Sequence, residues 1–335
     1  MVTYMKEDFY ALPKRGVQTK KMKVNSEFIK KFFSDVNKNK ALLLLAAPVV
    51  IWVAMFCYAP MFGIILAFKD LDYAKGIFGS SWCGFENFQF LFHTKDAWVI
   101  TRNTIGYNLV WIPLGIMVAV FLAILFDVLG RRRVNMFTKI NQTMSIMPHF
   151  LSWVVISYFV DTLLNMDKGF INNIMSLFGK DTVNWYSVSK YWPYILTVAN
   201  LWKSIGYSSI VYYATIKGFN SDYYEAAWID GASWWQQTRF ITLPQLLPII
   251  MILGIMSIGG ILNSDFGLFY IIPKNSGILY SVTSTLDTYI YNAMTTGSDL
   301  GATSAVSFYK SVVGFVLILG ANKLVKKLDG EFALF

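Results

Sequence analysis

The stretch SDYYEAAWIDGASWWQQTRFITLPQLLPII, Ser221–Ile250, is a polar segment that lies between two long apolar runs. Small residues are interspersed with charged and aromatic ones, and Pro244 and Pro248 stand where the second apolar run begins. Exposed loops tolerate variable and irregular sequence, so a connecting loop alone needs no such regular pattern. The stretch therefore predicts a structured element rather than an irregular loop.

The composition is that of a membrane protein. Of the 335 residues, 55% are hydrophobic and only 15% are charged, whereas about 25% are charged in soluble domains. Six segments are apolar enough and long enough for the roughly 20 residues that a membrane-spanning helix needs. They are Ala41–Phe68, Asn103–Phe126, Ile140–Val160, Tyr191–Ile216, Ile241–Ser264 and Gly301–Asn322. Because backbone groups in lipid must be satisfied internally, we expect an all-α polytopic membrane protein with six transmembrane helices.

The distribution of basic residues predicts that both termini are cytoplasmic. With the N-terminus inside, the cytoplasmic segments carry 19 Lys and Arg residues and the outer loops carry 7. Lys and Arg are enriched on the cytoplasmic side of membrane proteins. The clearest local signal is GRRRVNMFTK, Gly130–Lys139, directly after the second predicted span. The net charge of +9 is thus explained by topology and needs no nucleic-acid partner.

The polar stretch itself predicts two short helices joined by a tight turn. Asp222 is expected to cap the first helix together with Glu225, and Gly231 suits the left-handed position after its end. Ser233 is expected to cap a second helical turn, and Pro244 suits the first position of the following helix. The residues alone leave two interpretations open. The first helix is either a docking surface for a cytoplasmic partner or an amphipathic helix that lies in the membrane interface.

This stretch resembles the EAA motif of the permease subunits of binding-protein-dependent ABC importers, in their carbohydrate branch. The matching residues are Glu225, Ala226, Ala227, Asp230, Gly231, Ala232, Phe240, Leu243, Pro244 and Pro248. Two further regions are similar to sugar permeases: GFENFQFLF with RNTIGYN, in 84–92 and 102–108, and the stretch 303–328. LDTYIYN, Leu286–Asn292, resembles the LplB-like subgroup for oligosaccharide or polysaccharide uptake. The resemblance extends over about Ala41 to Leu328.

The resemblance implies a fold, a mechanism and a set of partners. It implies the type I ABC importer permease fold, with a basic cytoplasmic tail at 1–40, a permease domain at 41–328 and a short cytoplasmic tail at 329–335. Within that domain, segment 221–248 would couple to a separate ATPase. The residues implied in coupling are Glu225, Ala226, Ala227, Asp230, Gly231, Ala232, Leu243 and Pro244. The implied partners are a second homologous permease, two cytoplasmic ATPase subunits and an extracellular sugar-binding protein, in a bacterial plasma membrane, with an oligosaccharide as substrate.

The chain has no sequence signature for chemistry of its own. No GxxxxGK[ST] phosphate-binding loop occurs in it, so we expect ATP to be bound by a partner subunit. No set of catalytic residues and no His and Cys spacing typical of a metal site is found, and no cofactor is expected. The sequence therefore predicts a transport subunit and not an enzyme.

Polar residues within the predicted spans are candidates for the substrate path, because charged groups in a membrane are costly and often functional. The candidates are Asn108, Asn200, Trp202, Lys203, Tyr207 and Lys310. Lys310 is expected either to pair with an acid of the partner permease or to line a polar passage. Packing between helices is an equally valid interpretation of the residues around Lys203. The alternative function is an ion-coupled secondary transporter or a channel, which would use Lys203, Lys310 and Asp265 and would leave the EAA-like stretch unexplained.

Overall fold

The computed structural model describes residues 38–131, 135–297 and 300–328, and most of these residues are helical. The predicted tails, 1–40 and 329–335, fall nearly or wholly outside the described residues, as do Arg132 and Arg133 of the basic run. The chain divides into two compact units, residues 1–62 and 63–335.

The first unit contains helix α1, Lys40–Val53, and a π-helical turn, Ala54–Tyr58. No residue of α1 is buried, and the rings of Trp52 and Phe56 lie 4.3 Å apart. A 3-10 stretch, Ala59–Phe68, follows.

The second unit is an assembly of helices with one small hairpin. The antiparallel strands β1, Lys69–Asp70, and β2, Ser81–Trp82, form the hairpin, with Lys69 opposite Trp82. The helices are α2 (Gly76–Gly79), α3 (Gln89–His93), α4 (Lys95–Arg131), α5 (Asn135–Phe150), α6 (Trp153–Leu164), α7 (Phe170–Leu177), α8 (Trp192–Lys217), α9 (Asp222–Ile229), α10 (Trp234–Gln237), α11 (Leu243–Gly259), α12 (Tyr280–Thr283), α13 (Leu286–Thr295) and α14 (Leu300–Leu328).

Each of the six predicted spans is mostly helical in the described residues, with non-helical residues at 151–152 in the third span and at 260–264 in the fifth. Four helices there are long and apolar enough to cross a membrane, namely Lys40–Phe68, Lys95–Gly130, Trp234–Gly259 and Leu300–Lys327. The bent pair Thr138–Phe150 and Trp153–Leu164 could supply a fifth span. The remaining predicted span corresponds to α8, which has 26 residues but is not among the helices that meet the length and composition test. The count of six spans and the orientation stay predictions.

The prediction of one continuous third span was wrong. Helices α5 and α6 meet at an angle of 101°, at a break of two residues after Phe150. Pro148 has no backbone N–H and weakens the end of α5, while the Ser152 hydroxyl accepts a hydrogen bond from the Val155 N–H and starts α6. The predicted apolar run is thus interrupted by a true helix end and a new N-cap.

The core of the second unit is organised around α4 and α8, which form its most extensive helix pair. One end of this pair holds a cluster of aromatic and aliphatic side chains that includes Trp111 and Trp192. The other end packs against α11 through Leu246. A third cluster joins α4 to α13 and α14 around Leu286 and Val306. The helix that follows the polar stretch is therefore part of the core.

Glycine permits two close helix contacts. A Cβ added at Gly206 of α8 would lie 1.7 Å from the Ser145 carbonyl oxygen of α5. A Cβ added at Gly314 of α14 would lie 2.7 Å from the Gly259 carbonyl oxygen at the end of α11. Small residues at such crossings let helix backbones approach closely in membranes. These positions fix the distances between helices that line the cavities described below.

Candidate coupling segment and translocation cavity

Helix α9 begins at Asp222, and its N-cap is Ser221, without a side-chain capping bond. The expectation that Asp222 is the N-cap and forms a capping box with Glu225 was therefore wrong. Asn220 explains the difference, because its Oδ1 atom accepts a hydrogen bond from the Asp222 N–H at 3.0 Å. Because the Asn220 side chain satisfies the Asp222 N–H, the N-cap is Ser221 and the helix starts one residue earlier than predicted.

The turn after α9 agrees with the sequence prediction. Gly231 has a φ of +78°, which is the left-handed conformation that glycine adopts without strain. The Gly231 N–H donates to the Trp228 carbonyl at 3.0 Å and the Ala232 N–H donates to the Ala227 carbonyl at 2.8 Å. These two bonds are those of a Schellman motif. The turn is therefore a defined structure that holds α9 at a fixed angle to the following chain.

The second prediction for this segment, a cap at Ser233, is also confirmed. Ser233 and Gln236 form a reciprocal capping box at the start of α10. Pro244 lies in the first turn of α11, Leu243–Gly259, as expected. A π-helical turn, Thr238–Thr242, joins α10 to α11, so that helical structure continues from Trp234 to Gly259. Such a wider turn accommodates a local irregularity without ending the helix.

The outer face of α9 is exposed. Tyr223, Trp228 and Ile229 have exposed fractions of 59%, 75% and 79%. The residues of the EAA-like motif differ in their exposure. Glu225, Ala226, Asp230, Gly231 and Pro244 are exposed, whereas Ala227, Ala232 and Leu243 are half-buried. The segment thus presents apolar and acidic groups on a surface that the described chain leaves uncovered.

One buried contact joins α9 to the long helix. Tyr224 and Thr242 are buried, with exposed fractions of 8% and 3%, and their hydroxyl oxygens lie 3.1 Å apart. Thr242 belongs to the π-helical turn that leads into α11. The sequence analysis did not identify this pair, since only the folded structure brings the two hydroxyl groups together.

A pocket of about 760 Å³ lies behind α9 and includes the ion pair between Lys217 and Asp127. The Lys217 Nζ atom is 2.8 Å from an Asp127 carboxylate oxygen, and the Asp127 residue is buried. This pair joins the last residue of α8 to α4 beside α9. The sequence analysis missed it, although an acid at the end of an otherwise apolar run was a usable signal.

Three of the six substrate-path candidates line one polar cavity. Asn108 of α4, together with Asn200 and Tyr207 of α8, lines a cavity of about 790 Å³. Its other polar lining residues are Ser204, Ser208, Tyr212, Ser257, Asn263, Ser264, Asp265 and Trp111. The Asn108 amide also donates to the carbonyl oxygens of Ile261 and Asn263, at 2.9 and 2.7 Å. Asn108 thereby holds the chain segment that leaves the end of α11.

Lys310 lines a second cavity, of about 530 Å³, which shares Asn263 with the first. Its ammonium group pairs with Asp287 of α13, an acid of the same chain. The two alternatives for Lys310, an acid of the partner permease or a polar passage, stay predictions. The second oxygen of Asp287 accepts hydrogen bonds from the N–H and the hydroxyl of Ser264, at 2.6 and 2.9 Å. The sequence analysis quoted Asp287 within LDTYIYN but did not identify it as the partner of Lys310.

Trp202 and Lys203 do not line the polar cavity. The Lys203 ammonium donates to the carbonyl oxygens of His149 and Leu151, at the bend between α5 and α6. It also lies 5.1 Å from the centre of the Trp153 ring. Trp202 lines a separate, mostly apolar cavity beside this bend. Lys203 therefore satisfies carbonyl groups that a broken helix leaves without partners.

A small cluster lies where α6 ends. Lys274 pairs with Asp161 at 2.7 Å, and its Nζ atom is 4.8 Å from the centre of the Tyr186 ring. Burial, with a smaller effect of the nearby Asp161 charge, raises the pKa of Tyr186 above its usual value. Lys274 is held in this position by a turn in which it has a φ of 56°.

Comparison with known proteins gives consistent matches over most of the chain. Residues 112–330 match the family described as the inner membrane component of binding-protein-dependent transport systems. The chain is 32% identical over 302 residues to the polygalacturonan/rhamnogalacturonan transport system permease protein YteP of Bacillus subtilis (strain 168), covering 90% of this chain and 92% of that protein. It is also 32% identical to protein LplB of the same organism, over 90% of this chain and 93% of the relative.

A solved structure resembles the fold closely. A chain from the crystal structure of a bacterial ABC transporter involved in the import of the acidic polysaccharide alginate has a TM-score of 0.79 and 30% identity. The match covers 89% of this chain and 99% of that one. A second structure, the alginate transporter in complex with an alginate pentasaccharide-bound periplasmic protein, matches with a TM-score of 0.78.

Proposed function

The chain belongs to the family of inner membrane components of binding-protein-dependent transport systems, and we propose that it forms half of the passage through which an ATP-driven importer takes up an oligosaccharide. Family membership makes it a multi-pass protein of the bacterial plasma membrane and a transport permease, not an enzyme. The substrate class is proposed from relatives whose names refer to polygalacturonan, rhamnogalacturonan and alginate.

The observation that carries the coupling part of the proposal is the exposed helix α9 and its rigid attachment. Its exposed face carries Trp228 and Ile229, and the Gly231 turn holds it at a defined angle. The Tyr224–Thr242 contact connects it to the helix that ends beside the polar cavity. A force applied to α9 by a cytoplasmic ATPase would therefore reach the cavity wall through a single continuous helix.

The proposed assembly has further members. It comprises this chain, a second homologous permease, two ATPase subunits that bind ATP, and an extracellular sugar-binding protein. In support, the similar alginate transporter has been solved with a periplasmic protein that carries an alginate pentasaccharide. The exposed coupling segment supports the ATPase partner. The coupling residues proposed for this contact remain those of the EAA-like motif, from Glu225 to Ala232 with Leu243 and Pro244.

For the substrate path, the geometry favours Asn108, Asn200 and Tyr207. Amide and hydroxyl groups suit the hydroxyl groups of sugars, and aromatic rings suit the faces of sugar rings. Lys310 lines the adjoining cavity and is proposed to support the wall of the passage through Asp287. Lys203 and Trp202 are proposed to stabilise the bend between α5 and α6 instead of contacting the substrate.

The same contacts weaken the alternative of an ion-coupled transporter. That function would require ionisable groups in the spans to change their charge or partner during transport. Lys203 is engaged with two backbone carbonyl groups and Lys310 with Asp287. The alternative also gives no role to the exposed face of α9 or to the Gly231 turn that orients this helix.

The coupling proposal is tested by the substitutions Ala227→Trp and Gly231→Pro in the complete transporter, reconstituted in liposomes. We expect both variants to insert and assemble, to hydrolyse ATP, and to lose sugar uptake per ATP hydrolysed. The first adds bulk to the half-buried face of α9, and the second imposes a φ near −65° where the turn requires a positive value. Ala74→Trp, at an exposed position of the predicted outer loop, is the matched control and should retain normal coupling. Normal uptake by both variants would refute the docking role.

A further inference from the structure

We propose that the apolar cavity beside the bend between α5 and α6 is a lipid site, which holds an acyl chain of a membrane phospholipid. The cavity has a volume of about 790 Å³, and no charged or amide side chain lines it in the described part of the chain. Of its lining side chains there, those of Tyr194 and Trp202 alone carry an oxygen or nitrogen atom. Such a lining stabilises apolar ligand surface, so the occupant is a hydrocarbon chain and not a sugar.

The sequence supplies this lining as two apolar stripes, one on each side of the bend. From α5 and the bend come Met144, Pro148 and Leu151. From α6 come Ile156, Phe159 and Leu163. Residues three, four and seven positions apart share one face of a helix. Because the two helices meet at 101°, the cavity lies in the angle between their apolar faces.

The position of this cavity around α8 indicates what covers it. Ile195 and Val198 of α8 line the apolar cavity, whereas Asn200, Ser204 and Tyr207 line the polar one. Each residue advances an α-helix by about 100°, so the two sets of lining residues are centred roughly 150° apart around α8. On the proposed function, on which this step rests, the polar side faces the passage and the second permease. The opposite side of α8, and with it the apolar cavity, then faces the bilayer.

The length of the cavity suits an acyl chain that enters from one membrane surface. Tyr194 lies in the first turn of α8 and is 72% exposed, and Val198 and Trp202 follow on the same side of the helix, 67% and 47% exposed. The eight-residue step from Tyr194 to Trp202 covers about 12 Å along α8. One leaflet has a hydrocarbon depth of about 15 Å, half of the roughly 30 Å core. Tyrosine is common at the membrane surface, so Tyr194 marks the headgroup end of the cavity.

Helix α7 borders the same end of the cavity. Its Ile171 lines the cavity, and its Phe170 and Leu177, seven positions apart on one face, are 58% and 84% exposed. Asn172 is buried and donates to the Val183 carbonyl oxygen at 2.9 Å, which attaches α7 to the rest of the unit. A short helix with an exposed apolar face is typical of the membrane interface. The apolar surface of α7 therefore continues into the cavity and gives the acyl chain an entry.

The test is photolabelling of the complete transporter, purified in detergent, with a stoichiometric amount of phosphatidylglycerol that carries a diazirine in one acyl chain. Labelled positions are mapped by mass spectrometry. We expect the cavity stripes of α5 and α6 to be labelled several-fold more than the exposed face of α14 around Val316. Val198→Trp places a large ring at the exposed opening and should abolish this excess. Val110→Trp, at a 53% exposed position of α4 that does not line the cavity, is the matched control and should keep it.

Equal labelling of the cavity and of α14 in the unmodified protein would overturn the inference, and this comparison needs no variant to fold. An excess that Val198→Trp does not remove would also overturn it. In a second experiment Phe159 is replaced by the photoreactive benzoylphenylalanine in membranes. A crosslink to phospholipid is expected, and a crosslink to the second permease would show that a protein surface covers the cavity and would reject the lipid site.

The proposed function is checked separately, by uptake of an oligosaccharide into liposomes that contain the unmodified transporter and the binding protein. Uptake together with uniform labelling would reject the lipid site alone. Labelling concentrated at the cavity without any uptake would support the lipid site and reject the proposed function.

Discussion

The hydroxyl contact between Tyr224 and Thr242 is predicted to carry part of the mechanical coupling between α9 and the long helix. Tyr224→Phe removes one hydroxyl group and keeps the ring that packs in the same place. Both residues are buried and their oxygens lie 3.1 Å apart, so the loss should cost about 1 kcal/mol. A free-energy difference of 1.4 kcal/mol is a factor of about ten in an equilibrium constant. The arrangement in which α9 is held against the long helix would therefore become about fivefold less favoured.

The assay is the initial rate of sugar uptake divided by the rate of ATP hydrolysis, in liposomes that contain the complete transporter. Tyr224→Phe and Thr242→Val should each lower this ratio, while each leaves the amount of assembled complex unchanged. In the double variant the effects should be less than additive, with a coupling energy of about 0.5–1.5 kcal/mol, as expected for residues in contact. Tyr223→Phe is the matched control because its ring is 59% exposed.

Two results would refute this reasoning. If the single variants have strictly additive effects on the ratio, the two hydroxyl groups do not act together. If Tyr224→Phe couples uptake to ATP hydrolysis as well as the unmodified protein does, the hydroxyl contact has no mechanical role.

Three further predictions concern the packing of the helices, and thermal unfolding in detergent measures each of them. Gly206→Ala should destabilise the protein by about 1–3 kcal/mol, because the added methyl group would overlap a backbone carbonyl of α5. Gly254→Ala is the control and should be tolerated, because the nearest atom to the added methyl group would be 3.9 Å away. Lys203→Met should lower stability by about 1–3 kcal/mol because two carbonyl groups lose their donor; an unchanged melting temperature would contradict that role. Lys310→Met should lower the free energy of unfolding by about 3 kcal/mol because it leaves the Asp287 charge unpaired. Adding Asp287→Asn should restore most of this stability; if it does not, the lost ion pair is not the cause of the destabilisation.

The sequence predicted helical segments well and helix breaks poorly. Pro113 and Pro248 lie inside uninterrupted helices, whereas Pro148 is followed by a sharp bend. Pro148 differs from the other two in having Ser152, the N-cap of α6, four residues later. It also has a partner that is remote in sequence, because Lys203 donates to carbonyl groups at the bend. A helix break inside a membrane protein depends on such distant partners.

Within the coupling segment, most of the short-range features were predicted and the long-range contact was not. The Gly231 turn and the Ser233 cap depend on residues within a few positions and were predicted from the sequence. The start of α9 was wrong by one residue because the Asn220 side chain competes for the same donor. The pair of Tyr224 with Thr242 depends on how two helices pack against each other. No local pattern contains that information.

The position of the long helix Trp234–Gly259 links the two sites physically. At one end, Thr242 contacts α9, and at the other the chain after Gly259 forms the wall shared by both cavities. That wall is held from two sides, by Asn108 through backbone carbonyl groups and by Asp287 through Ser264. A shift of this helix along its axis would therefore strain both attachments at once. On the proposed function, these two attachments are where movement of the ATPase subunits becomes a change in the shape of the passage.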